Sequence, residues 1–449
     1  MAWLTGCTDL PGRKAWTIIA TLPLVLPSYV TAYLFVSILG PRGLLQQLLA
    51  PLTGLERLPE IYGFPGAFLT LTAMSYPYTF LAVRAVLRRI DPAWLEASRS
   101  LGLTPWQSFW RVTLPQLRPG LMAGSLLVAL YVLRDFGAVA MMRYDTFTRL
   151  IYTQSRSFAD RSLAATLALL LVALTAVVLY LESRTRGQAH YARRGNGVAR
   201  RPHLISLGRW KWPALLFMAS VVTVALLLPA GGLLYWLIRG LVREQSLSLT
   251  WLAAWNSLTV SLAAALATTL AALPIAILVV RRPGPWSHLL ERLTYASQAL
   301  PGIVIALAFV FLGLAYTPSL YQSLPMLIAA YVILFIPHAV GSTRASLLQI
   351  SPNLEWAARS LGATPAGVLG RVLLPLLRPG LTAATTLVFL TCMKELPATL
   401  ILSPIGFKTL ATAIWSNISE AFFAQAALPA LILLLLSSIP LALLTLREQ

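Results

Sequence analysis

Long apolar runs separated by short polar segments dominate the chain. Ten stretches are long and apolar enough to read as membrane-spanning helices: 16–39, 63–87, 121–142, 162–182, 213–238, 256–280, 293–316, 325–347, 381–403 and 425–446. A spanning helix needs about 20 mostly apolar residues. No stretch shows the strict polar–apolar alternation of a half-buried strand. Pro23, Pro27, Pro77, Pro274, Pro337 and Pro397 fall inside these runs, which membrane helices tolerate when neighbours satisfy the freed backbone groups. The expected fold is an all-α polytopic membrane protein of about ten spans.

Composition agrees. Of 449 residues, 57% are hydrophobic and 11% charged, against about 25% charged in a soluble domain. That excludes a soluble enzyme, a disulfide scaffold and a disordered chain. The net charge of +20 would suggest nucleic acid in a soluble protein, but here it reads as the cationic excess of inner loops. With residues 1–15 placed in the cytoplasm, inner segments hold 24 of the 35 Lys and Arg and outer loops hold nine. Both termini are therefore expected to be cytoplasmic. The outer loop 143–161, with Arg143, Arg149, Arg156 and Arg161, runs against this trend.

An internal repeat organises the chain. Residues 90–121 and 350–381 match at an offset of 260, with 18 of 32 positions identical and no gap. An even number of spans separates them, so both copies lie on one membrane face and the duplication is parallel. The expected domains are a first half, 1–187, a basic linker, 188–212, and a second half, 213–449. The linker region reads as a solvated connector; docking of a partner or of anionic lipid is the alternative.

Each repeated loop has a readable shape. Pro92 and Pro352 suit a helix start, Gly102 and Gly362 a left-handed helix end, and Thr104-Pro105 and Thr364-Pro365 a second start. That second helix is expected to run to Leu-Pro and to stop at Arg-Pro-Gly. Two short helices joined at Gly make a compact knob, a shape suited to docking.

The spacing in these loops is similar to the EAA loop of ABC-transporter permeases: Glu-Ala-Ala, three residues, Gly, nine residues, Ile, one residue, Leu-Pro. The first copy has Glu96, Ala97, Ser98, Gly102, Val112, Leu114 and Pro115. The second has Trp356, Ala357, Ala358, Gly362, Val372, Leu374 and Pro375. Trp356 stands where the family has Glu, and Glu355 lies one position earlier. That is a rotation of about 100° around a helix, so the acid leaves the family's face. The resemblance implies that both loops dock into grooves on ATPase subunits, two in number. ATP and Mg²⁺ would be bound by those partners, with no cofactor in this chain. It also implies a periplasmic solute-binding protein at the outer face of a bacterial inner membrane.

Outside the loops the chain resembles the ferric-iron branch of these permeases, in which both halves are fused. The carriers are residues 9–16 (DLPGRKAW), 22–33 (LPLVLPSYVTAY), 134–139 (RDFGAV) and 394–402 (KELPATLIL). The resemblance implies ferric iron as cargo; thiamine or another small solute is the alternative, and a secondary transporter or an intramembrane enzyme are rivals from other classes. Arg134-Asp135 maps onto Lys394-Glu395 at the same offset. Charge inside an apolar helix costs about 2.5–3.5 kcal/mol on insertion scales and usually faces the bundle interior. The four residues are candidates for the path or a gate, with Arg134 paired to Glu395 and Asp135 to Lys394 across the halves; packing alone is the competing reading. No metal site, Ser/His/Asp set or phosphate-binding loop is expected. His338, beside Pro337, reads as packing, and His190 and His203 lie in the linker. The second half has four spans before its loop and the first only two, so about two spans of the first half are expected to be missing.

Overall fold

The computed structural model describes residues 1–88, 90, 92–155, 161–187, 205–242 and 248–447. Most of the expected linker and both of its histidines, His190 and His203, lie outside the described residues. Among the described residues the chain is helical, and its only β contact is a single parallel bridge between Thr8 and Ile205.

Two compact units interleave in sequence. The first comprises 1–146 and 173–232, the second 147–172 and 233–449. In the first unit we label α1 (Arg13–Ile19), α2 (Ser28–Leu39), α3 (Phe64–Leu87), α4 (Pro92–Ser100), α5 (Leu114–Arg134) and α6 (Gly137–Met141). In the second we label α7 (Ser248–Arg281), α8 (Pro285–Ala296), α9 (Gly302–Ala315), α10 (Leu324–Leu347), α11 (Pro352–Ser360), α12 (Leu374–Met393) and α13 (Pro397–Leu402). Helices α1–α6 recur in order as α8–α13.

Small residues set the packing. In the first unit α3 lies along α5. A β-carbon on Gly120 would come within 2.9 Å of Val86, and one on Gly124 within 2.7 Å of the Thr79 backbone. Gly380, the repeat partner of Gly120, is pressed against Ser346 in the same way. In the second unit α7, α10 and α12 form the core around Ala264, Ala330, Ala339, Ala384 and Val388. Helix backbones approach closely where side chains are this small.

Six described helices have the length and mean hydropathy to cross a membrane: Trp106–Arg134, Ser162–Leu181, Gly208–Val242, Thr250–Arg281, Leu324–Leu347 and Pro365–Met393. Arg13–Val25 and Ser28–Thr53 have that length and hydropathy only when taken together, as a pair bent by 96° at its break. Gly302–Ala315 and Phe423–Ser438 are apolar but shorter. The ten expected stretches are thus helical but cut differently. Stretches 16–39 and 293–316 break at Leu26-Pro27 and Leu300-Pro301, because proline excludes the residue before it from helical geometry. Stretches 121–142 and 381–403 break after Arg134 and after Met393. Helix α3 forms as expected, but Thr70, Thr72, Ser75, Pro77 and Thr79 dilute its apolar character.

The expected stops at Leu-Pro and Arg-Pro-Gly do not occur. The second helix of each knob runs unbroken into the following span through a π-helical turn, Phe109–Thr113 and Leu369–Leu373. At its end Leu114 N–H donates to the Phe109 carbonyl, and Leu374 N–H to the Leu369 carbonyl. Pro115 and Pro375 follow at once and have no N–H to place. The wide turn absorbs them, while Pro119 and Pro379 sit inside the continuing helix.

Candidate functional site

The two knobs have nearly the same backbone. Helix α4 ends at Leu101 and Gly102, with Gly102 N–H bonded to Arg99 O at 2.9 Å and Leu103 N–H to Ser98 O at 3.1 Å. Helix α11 ends likewise, with Gly362 N–H to Arg359 O at 2.9 Å and Ala363 N–H to Ala358 O at 3.0 Å. This paired closure needs a left-handed residue just past the helix. Gly102 has φ 82° and Gly362 φ 83°, where a side chain would be strained. Thr104 and Thr364 then cap the next turn through the N–H groups of Gln107 and Gly367. Gln107 reaches back to the Thr104 N–H at 3.0 Å, a reciprocal cap the second copy lacks.

Side chains within the knobs differ in three instructive ways. The buried Ser98 hydroxyl donates to Ser108 at 2.9 Å. The aligned residues of the second knob are Ala358 and Val368, so a polar pair in one copy is replaced by two apolar side chains in the other. Glu96 is exposed, and so is its counterpart Trp356, at 63%. Glu355 is only 7% exposed. Its Oε1 accepts from Arg281 Nε at 2.6 Å, while Arg281 Nη2 donates to Ile350 O at 2.8 Å. The one-position shift therefore turns the acid of the second knob inward, where it ties α11 to the end of α7.

Ala97 and Ala357 are exposed, and Val112, Val372, Leu114 and Leu374 are half-buried along the elbow, with Pro115 half-buried and Pro375 exposed. Sequence reading overlooked two residues that stand out here. Leu101 is 81% exposed and Leu361 88%, each at the tip of its knob. Their identity across the repeat was the available signal. An exposed leucine alone is ordinary, but the same one on both tips, beside the two alanines, makes a repeated apolar surface. Arg281 lay outside the motif and had no such signal.

The charged positions at the far ends of α5 and α12 also gain a local role. Asp135 Oδ1 accepts from Ala138 N–H at 2.9 Å, and the Val139 N–H and the Ser28 hydroxyl bond to the same carboxylate. Glu395 accepts from Ala398 N–H at 3.0 Å, Thr399 N–H at 3.0 Å and the Thr399 hydroxyl at 2.9 Å. Each acid thus caps the short helix, α6 or α13, that follows the break. Arg134 ends α5 and Lys394 caps α12. Reading these pairs as partners across the halves did not anticipate the caps. His338 stacks near Phe335, with ring centroids 6.3 Å apart. Among the described residues no three His, Cys, Asp or Glu side chains converge as a metal site.

Comparison with known proteins places this geometry. The family described as the inner membrane component of binding-protein-dependent transport systems matches residues 9–186 and again 268–449. An "Fe(3+)-transport system permease protein FbpB 2" of Haemophilus influenzae is 35% identical over 96% of this chain and 82% of its own length. A "putative ferric transport system permease protein FbpB 1" from the same organism is 24% identical over 90% of this chain and 67% of its own. The "molybdenum transport system permease protein ModB" of Escherichia coli (strain K12) is 30% identical over 40% of this chain and 80% of its own. With the family matched twice, once around each knob, the chain belongs to the membrane permeases of binding-protein-dependent ABC transporters.

Proposed function

We propose that this permease carries ferric iron inward, driven by two ATPase subunits seated on the knobs around α4 and α11. The observation that supports ferric iron most is the 35% identity, across nearly the whole chain, to a relative named for Fe(3+) transport. In this reading a periplasmic binding protein delivers the cargo to the outer face of a bacterial inner membrane. Both termini are cytoplasmic, residues 1–187 and 213–449 are the duplicated halves, and ATP is hydrolysed on the partners. The apolar tips Leu101 and Leu361 supply the docking surface. Arg134, Asp135, Lys394 and Glu395 lie at helix breaks along the path or its gate.

The direct experiment is uptake of radiolabelled ferric iron into proteoliposomes holding the permease, its ATPase and its binding protein. ATP-dependent uptake, abolished by Gly102→Pro with Gly362→Pro, is expected. Uptake of thiamine, molybdate or sulfate in place of iron would overturn the cargo. Uptake surviving the double proline variant would overturn the coupling role.

A further inference from the structure

The end of α3 nearest the first knob gathers positive charge that no acid among the described residues offsets. Arg84 and Arg88 lie four residues apart, on one face of the helix, with Arg88 N–H bonded to Arg84 O at 3.1 Å. Arg13 opens α1, and Arg84 lies within electrostatic reach of both Arg13 and Arg88. Arg84 is half-buried, and its Nε is sealed from solvent without a hydrogen-bond partner. None of the three arginines forms an ion pair among the described residues. Asp9, the acid closest in sequence to Arg13, is already engaged by the Leu207 N–H at 2.9 Å and by Lys211 at 3.0 Å.

The duplicated half provides an internal comparison. Arg344 is the repeat partner of Arg84, and its Nε is likewise sealed. There, however, Glu291 of α8 meets the guanidinium at 2.7 Å. Helix α1 occupies the place of α8 and reads Arg-Lys-Ala-Trp-Thr-Ile-Ile, with no acid. The second half carries a counter-charge on this helix and the first does not. A partly buried guanidinium without an anion is costly, and two further cations add repulsion.

We infer that Arg13, Arg84 and Arg88 form a binding site for a phosphate-bearing anion. The planar forks of arginine match phosphate oxygens. The site sits where a span meets its polar loop, the depth at which basic clusters hold lipid headgroups. A phospholipid headgroup and free inorganic phosphate present the same chemistry there.

The test uses the full permease with its ATPase in nanodiscs. Native mass spectrometry compares retained phosphatidylglycerol with phosphatidylcholine, and thermal shift in phosphatidylcholine-only discs reads inorganic phosphate. Wild type should retain the anionic lipid, or shift with phosphate; whichever occurs identifies the source. Arg84→Gln with Arg88→Gln should lower that binding about tenfold, the size of one charge-assisted contact. Arg13→Glu, which gives α1 an acid as α8 has, should do the same while keeping Arg84 paired and the fold intact. Glu291→Gln should create new anion retention in the second half. Equal retention and equal shift in wild type and Arg13→Glu would overturn the proposal. So would an Arg13→Glu that loses only the ATPase while lipid and phosphate binding stay unchanged.

Discussion

The Oε1 atom of Glu395 occupies the space a β-carbon on Gly302 would need, 2.8 Å from where that carbon would stand. In the first half Ser28, the first residue of α2 as Gly302 is of α9, bonds to the shorter Asp135. The two halves have exchanged size between helix start and acid: Ser with Asp in one, Gly with Glu in the other. Gly302→Ser should therefore destabilise by about 1–3 kcal/mol, as overpacking does. Adding Glu395→Asp should recover most of that loss and reproduce the arrangement of the first half. Thermal unfolding of both variants measures it, and a double variant no more stable than Gly302→Ser would refute the exchange.

The Arg281–Glu355 bridge is enclosed, with side chains 14% and 9% exposed. Removing one partner leaves the other charge unpaired, so Arg281→Met or Glu355→Gln should cost about 3–5 kcal/mol. Replacing both, by Met and Leu, should cost far less. Hydrogen exchange across 352–360 should rise in the single variants and stay near wild type in the double. No comparable effect is expected for Glu96→Gln, whose side chain is exposed.

Leu101 and Leu361 test docking apart from folding. Leu101→Ser with Leu361→Ser touches two exposed positions, so stability should change by no more than about 0.5 kcal/mol. Retention of the ATPase on the purified permease should fall, and uptake with it. Unchanged retention would move the docking surface elsewhere on the knobs.

Asp9 links the N-terminal segment to residues 205–211. The Leu207 N–H, and then Lys211, hold its carboxyl below the usual carboxylate range. A lowered folded pKa means the carboxylate stabilises the fold above the ordinary value of about 3.9. That contribution is lost as pH falls through the lower, folded value. Wild type should therefore lose stability from about pH 4 downward, and Asp9→Asn should lack that acid limb. Melting temperature between pH 7 and pH 3 gives the comparison.

Features set by local chemistry are legible in the residues themselves. Gly102, Gly362 and the Thr-Pro starts do what their backbone preferences dictate, and the 260-residue repeat places both knobs. The breaks after Arg134 and Met393 are not legible, because a capping acid within an apolar run looks like a charge in need of a distant partner. Hydropathy reports burial and says nothing of a carboxylate turned onto N–H groups three and four residues ahead. The continuity through Leu114-Pro115 is hidden for a related reason. A proline normally ends a helix, and only the wide hydrogen-bonded turn before it removes the conflict. The spacing puts Glu355 off the family's face, as the fold does, but its partner Arg281 lies 74 residues away, beyond any local pattern.

That continuity joins the second helix of each knob to its span as one rod. Pro365 to Met393 is 29 residues, roughly 40 Å at helical rise. Its near end follows the Gly362 turn, beyond which Leu361 lies, and its far end meets the break that Glu395 caps. Trp106 to Arg134, also 29 residues, ends just before Asp135 in the same way. A push on either tip crosses one glycine turn closed by two backbone hydrogen bonds, then follows a single helix, and arrives where a charged pair and a short helix meet.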